Sequence, residues 1–152
     1  MSTLPPPFDE HGQHWLNIRV YYEDTDFTGM VYHANYLRFF ERGRSDFLRD
    51  AGVSHQNLLA RETPAAFTLT NIEVDYKRAA KVDDLLTIRT RSVGVKGVRM
   101  YFEQTCLRGD EVIAEGRITA VMIYTDGRPM RPIPDVVEQL KAFEYQPPSA
   151  PS

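Results

Sequence analysis

The sequence predicts an α+β domain in which one long helix is wrapped by a curved antiparallel sheet. Three observations carry this. A single amphipathic run of helical period begins near Ala34 and stops at Gly52, four later runs alternate apolar and polar residues, and short turns join those runs end to end. The stretch "WLNIRVYYE" (15–23) is rich in aromatic and branched residues, with Trp15, Ile18, Val20 and Tyr22 in imperfect alternation, and reads as the first strand. In "ANYLRFFERGRSDFLRDAG", Tyr36, Phe40, Phe47 and Ala51 share a helix face with Leu37 and Leu48 beside them, while Arg38, Glu41, Arg42, Asp46 and Arg49 take the other side. Gly52 supplies the stop signal. Everything after it reads as strand until the last segment. Residues 65–78 alternate through Phe67 and Leu69, slip phase at Asn71, and resume with Ile72, Val74 and Tyr76, which predicts a bulge that turns a long strand. Residues 83–95 put Leu86 and Ile88 opposite Arg89 and Arg91, and residues 97–109 repeat the pattern with Val98, Met100, Phe102 and Cys106. "RGD" at 108–110 is a hairpin turn into a last strand at 111–125. A short closing helix over 133–143 starts at Pro134 and Asp135.

A chain of 152 residues suits one compact domain. Its 18 basic and 21 acidic residues leave a net charge of -3, so no bulk field gathers nucleic acid or an acidic membrane face, and any phosphate site must be local. The one cysteine, Cys106, excludes an internal disulfide framework and lacks zinc-ligand spacing, so it reads as a buried core thiol. No apolar run of about 18 residues is present to form a transmembrane segment. The first residues have neither the basic start nor the apolar stretch of a signal peptide, which points to a cytoplasmic protein. Pro-rich and polar composition marks residues 1–14 and 145–152 as flexible tails around a domain at 15–144. His11 and His14, beside Asp9 and Glu10, fall in the first tail, which would give no fixed geometry for a metal.

The chemistry-bearing stretch lies between the first strand and the long helix. Asp26 sits at a strand end just before an apolar loop, a place where a carboxylate can be partly shielded yet reachable, as a general base or nucleophile requires. Glu23 and Asp24 read as surface or capping acids. Gly29 permits a tight turn or a close approach to a ligand. His33 immediately precedes the helix, whose first amides lack intrahelical partners and can hold the oxygen of a carbonyl as it becomes an oxyanion. A capping histidine with solvated acids fits the same spacing.

The segment "VYYEDTDFTGMVYHANYLRFFERGRSDFL" resembles the hotdog-fold acyl-CoA thioesterases of the 4-hydroxybenzoyl-CoA thioesterase superfamily, most closely its YbgC-like, Tol-Pal-associated branch. The likeness covers roughly residues 16–135, with "TPAAFTLTNIEVDYKRAAKVDDLLTIRT" matching more loosely. The resemblance implies a single hotdog domain that hydrolyses acyl-CoA to a free acid and CoA, with CoA entering only as part of the substrate and no metal or other cofactor. It places the catalytic carboxylate on Asp26, the loop glycine on Gly29, the branch's histidine on His33 and the carbonyl-polarising amide at the His33 backbone. Val31 and Tyr32 join Gly29 as substrate-binding candidates. Lys96 and Arg99, with Arg78 and Lys81, are the candidates for the CoA phosphates. Asn35 and Tyr36 match the motif and read as helix capping and core packing, while Phe67, Phe39 and Tyr32 are pocket or core. The pair Phe27-Thr28 departs from the small residues that relatives often carry before the glycine, which bears on the shape of the acyl pocket. The family also implies a homodimer with active sites at the interface, paired further into a tetramer. A dehydratase of this fold would show a Pro-Gly-rich loop after the histidine, and "YHANYL" has none. The competing expectation is a non-catalytic acyl-thioester-binding or scaffold protein of a cell-envelope complex.

Overall fold

The computed structural model describes residues 7–149. Its elements are strand β1 (His14–Arg19), a short 3-10 turn (Tyr22–Asp24), helix α1 (Asn35–Asp50), helix α2 (His55–Leu59), strands β2 (Ala65–Tyr76), β3 (Leu85–Lys96), β4 (Arg99–Arg108) and β5 (Glu111–Tyr124), and helix α3 (Pro134–Ala142). The strands form one antiparallel sheet in the order β1-β3-β4-β5-β2, so β1 and β2 are its edges. This is the α+β arrangement that the sequence predicts, a single long helix against one antiparallel sheet.

Alternation explains which sheet face is dry. Leu86, Ile88, Thr90 and Ser92 of β3 face inward beside Met100, Phe102, Gln104 and Cys106 of β4, with Ile118, Ala120 and Met122 of β5 completing that face. Helix α1 lies across β1, β3 and β4. Gly43 sets how closely it lies: a Cβ there would stand 2.6 Å from Ile88 Cγ2 and 2.9 Å from Gln104 Nε2. A mid-helix glycine costs helix propensity, and here the close approach requires it. Around that contact Gln104 donates to Phe40 O at 2.8 Å and Thr90 Oγ1 at 2.9 Å, and accepts from Arg44 Nη1 at 3.0 Å. Gln104, Thr90 and Arg44 therefore enter this core as one hydrogen-bonded group.

On either side of Gly43 the core divides. Under the start of α1, Tyr36, Phe39 and Phe40 pack with Ile18, Val20, Val31, Leu86, Ile88 and Ile113. Under its end, Phe47, Leu48 and Ala51 pack with Phe8, Leu58, Met100, Phe102, Met122, Val136 and Leu140. Cys106 is buried in the first cluster, and burial pushes its thiol up to about 12. The predicted bulge in β2 falls where the register shifts between Leu69 and Asn71.

Two expectations need correction. Residues 7–14 are not a loose tail: Phe8 is buried with its ring centroid 5.1 Å from Phe47 and 4.5 Å from Phe143, and buried His14 begins β1 with Nε2 2.7 Å from Asp50 Oδ2. On the C-terminal side, Tyr145 N donates to Ser92 O, Gln146 N donates to His11 O, and the Arg91 guanidinium lies 4.2 Å from the Tyr145 ring centroid. Pro-rich composition concealed these few strong anchors. The remainder of the tail expectation, residues 1–6 and 150–152, lies outside the described residues. Helix α2, five residues capped by Ser54 Oγ accepting from Asn57 N at 3.1 Å, was hidden because one turn and a half carries no readable period.

Candidate functional site

The site begins with a locked turn. Asp24 is buried and acts as a structural acid: its Oδ2 accepts from Tyr21 N at 2.8 Å, and its carbonyl accepts from Tyr32 N at 3.0 Å and Asn35 Nδ2 at 2.8 Å. Thr25 and Val31 then pair, Asp26 N donates to Met30 O at 2.9 Å, and Gly29 N donates to Asp26 O at 3.1 Å. This makes residues 25–31 a miniature hairpin. Gly29 has φ +79 with open space where a Cβ would stand, so the turn needs glycine for its backbone conformation alone. Gly29 O accepts from Val82 N, Met30 pairs with Lys81, and Val31 N donates to Ala80 O, which ties the hairpin to the β2–β3 connection.

Asp26 projects from the base of that turn. Its Oδ1 accepts from Thr28 N at 2.8 Å and from the Thr28 hydroxyl, while among the described residues no donor meets Oδ2. The Thr28 hydroxyl and amide hold its carboxyl below the usual carboxylate range, so at neutral pH it is an anion with one oxygen tethered and one free. The partial shielding expected of Asp26 is not supplied by its own chain, where the group is exposed.

The start of α1 supplies the second half. Ala34 takes the N-cap position with helical backbone angles (φ -70, ψ -21) and no side-chain cap. Among the described residues no acceptor meets the N–H of His33 or of Ala34. Two donors are therefore unclaimed where the helix dipole is positive. The His33 carbonyl accepts from the Tyr76 hydroxyl at 2.9 Å, and the His33 ring lies 4.5 Å from that of Tyr32 and 6.4 Å from that of Tyr76. Tyr76 thus holds the helix start from the end of β2. Tyr36 reaches the same region from beneath, its buried hydroxyl accepting from Ala80 N at 3.1 Å. Both hydroxyls act through position, and burial raises both above the ordinary tyrosine value.

The structure brings some sequence candidates together and separates others. Gly29, Tyr32, His33 and Asp26 share the surface around the start of α1, although no hydrogen bond joins Asp26 to His33 among the described residues. Val31 is core, with its side chain buried in the cluster that holds Val20 and Phe39, so it backs the site. Phe39 is also core. Lys81 is adjacent to Met30, and Arg78 pairs with Glu111 at 3.1 Å. Lys96 and Arg99 close the β3–β4 hairpin at the far end of β3 from Leu85, roughly 35 Å along the strand. A single chain does not bring them to Asp26. Tyr76 and Thr28 were missed by sequence reasoning. Tyr76 occupies a strand-core position in the alternation, and Thr28 has no signal other than its place two residues after the acid.

Asp26, Gly29 and His33 line none of five well-formed cavities found among the described residues. One of about 310 Å³ lies farther along the α1–β2 seam, with Leu48, Phe67, Leu69, Phe102 and Ala120 as apolar lining and Glu41, Arg44, Ser45 and His55 as polar lining. Its size is at the lower edge of the roughly 300–1,000 Å³ common for small-molecule sites. Among the described residues no cluster of side chains forms a metal site.

With the geometry established, the similarity to known proteins is informative. A family model described as the thioesterase-like superfamily matches residues 20–140. The chain is 40% identical over 128 residues, 84% of its own length and 92% of the other's, to the acyl-CoA thioesterase YbgC of Haemophilus influenzae. It is 35% identical over 115 residues, 76% of this chain and 84% of the other, to the acyl-CoA thioester hydrolase YbgC of Escherichia coli. The crystal structure of a probable thioesterase from Bartonella henselae superposes with TM-score 0.77 at 40% identity, over 80% of this chain and 99% of that one. The matched region begins just after β1 and ends within α3, and so contains both the locked turn and the uncapped helix start. The chain belongs to the thioesterase-like superfamily, as a YbgC-like hotdog protein.

Proposed function

We propose that the protein is an acyl-CoA thioesterase that hydrolyses the thioester to a free acid and CoA, with Asp26 as the base or nucleophile. The observation that carries this reading is the ionised Asp26 carboxylate on a hydrogen-bonded turn with one oxygen free, at the same end of α1 as the unclaimed amides of His33 and Ala34. The thioester carbonyl oxygen rests on those amides. As water adds to the carbonyl carbon it passes a proton to Asp26, the negative charge on oxygen is held by the helix start, and the C–S bond breaks to release the CoA thiolate, which takes up the proton. In the covalent variant, Asp26 itself adds to the carbon, the C–S bond breaks to release the CoA thiolate, and water hydrolyses the resulting anhydride to the free acid and the Asp26 carboxylate. His33 orients the substrate beside Tyr32. The YbgC relatives carry the same activity in their names.

A homodimer completes the site. β2 is a sheet edge of 12 residues, and such a long open edge invites pairing. Antiparallel pairing of two β2 edges about a two-fold axis sets the Tyr76–His33 end of one copy against the Ala65–Leu69 end of the other. Each Asp26 then meets the cavity of the second copy. Lys96 and Arg99 lie at the same end of the sheet as that cavity, which makes them phosphate ligands for the substrate of the opposite Asp26.

The test is hydrolysis of a panel of short, long and aromatic acyl-CoAs followed with a thiol reagent. Wild-type protein turns over members of the panel and Asp26→Asn does not, with unchanged thermal unfolding. A panel left intact by wild type favours the non-catalytic scaffold.

A further inference from the structure

We propose that Phe27 forms the outer wall of the acyl cavity of a second copy and thereby limits the length of the acyl group that the enzyme accepts. The inference rests on the thioesterase reading above and concerns the choice of substrate by that same site.

Phe27 is 100% exposed, next to Asp26 on a turn held by the Thr28 and Gly29 hydrogen bonds. The aim of the ring is set by that turn, so covering it freezes only two side-chain torsions. Tyr22, Met30, Tyr32, Tyr76 and Val82 are also exposed on the same surface, which makes this a patch and not a lone apolar residue.

The occupant is a second copy of this chain, because patch and cavity lie at the two ends of one open edge. The patch reaches Tyr76, the last residue of the edge strand β2, and the cavity reaches Phe67 and Leu69 near the start of that strand. Antiparallel pairing of two β2 edges therefore sets the Phe27 ring of one copy against Leu48, Phe67 and Leu69 of the other.

Size gives the consequence. A cavity of about 150 Å³ accepts benzene, so 310 Å³ shared with a phenyl ring leaves room for one ring or a short chain. Wild-type kcat/KM should therefore fall sharply as the acyl chain lengthens.

The experiment measures kcat/KM for butyryl-, hexanoyl-, octanoyl- and decanoyl-CoA with wild type, Phe27→Ala, Phe27→Trp and Phe67→Ala. One methylene in an apolar pocket changes kcat/KM by about 10–200-fold. Phe27→Ala and Phe67→Ala should each raise the decanoyl-to-butyryl ratio by about tenfold or more, and Phe27→Trp should lower it. An unchanged ratio in active Phe27→Ala, or uniform loss at every length in a folded protein, overturns the wall. Wild type inactive on all four and on aromatic acyl-CoAs overturns instead the thioesterase reading.

Discussion

The two ends of α1 are built from one continuous helix yet treated in opposite ways. At the C-terminal end Ala51 N donates to Phe47 O, Gly52 N to Arg49 O and Val53 N to Leu48 O, and the last turn is covered by Phe8, α2 and α3. At the N-terminal end the cap has no side-chain bond, two amides are unclaimed, and aromatic rings stand in water around an ionised acid. The difference teaches where each end contributes. One end gains stability by satisfying and burying its groups, and the other keeps donors and a charge unspent, which is what the proposed hydrolysis would use.

The sharpest way to break this comparison is to alter one end and read the property assigned to the other. Asp26→Asn should lower kcat by roughly 10²–10⁴-fold, the usual loss of a general base, with a thermal midpoint close to that of wild type by calorimetry. Phe47→Ala should do the reverse, lowering unfolding free energy in urea by about 3–5 kcal/mol while folded protein keeps most of its kcat. A change of both properties by either variant would merge the two ends into one unit.

Smaller effects sharpen it. Gly43→Ala, at the boundary between the ends, should destabilise by about 1–3 kcal/mol from overpacking against Ile88 and Gln104, despite the better helix propensity of alanine; a more stable variant would show that α1 can lift off the sheet freely. Tyr76→Phe removes the bond to His33 O and should cost about 0.5–1.5 kcal/mol, with a matching severalfold loss in kcat/KM if the helix start needs that tether. Thr28→Val is the mildest. The hydroxyl favours the charged form of Asp26 and holds its pKa down, so removing it raises the pKa toward the ordinary value of about 3.9. The acid limb of the kcat/KM profile should move to higher pH while the rate at pH 7 changes little, because Asp26 is ionised there in both proteins. A limb that stays in place would deny Asp26 the titrating role.

The regular elements were legible because each has enough residues to show a period: Tyr36, Phe40 and Phe47 mark the helix face, and the phase slip at Asn71 marks the bulge in β2. The anchors at Phe8 and His14 were not, since one ring and one imidazole in a Pro-rich segment carry no pattern until Phe47 and Asp50 are opposite them. In the site, the Asp26–Gly29–His33 spacing was readable from the motif. Its supports, Thr28 on the carboxylate and Tyr76 on the His33 carbonyl, became visible only with the fold in place.

The amino-acid order alone determined the class of fold, the position of α1 and which acid precedes it, because periodicity and turn residues act over a few positions at a time. The tertiary structure decided that Asp24 is buried as a brace while Asp26 stays in water, that Val31 backs the site and does not face it, and that Lys96 and Arg99 lie at the opposite end of the sheet from Asp26 within one chain. These are relations between residues far apart in sequence, set by strand register and by how closely a helix packs on a sheet, and no local pattern encodes them.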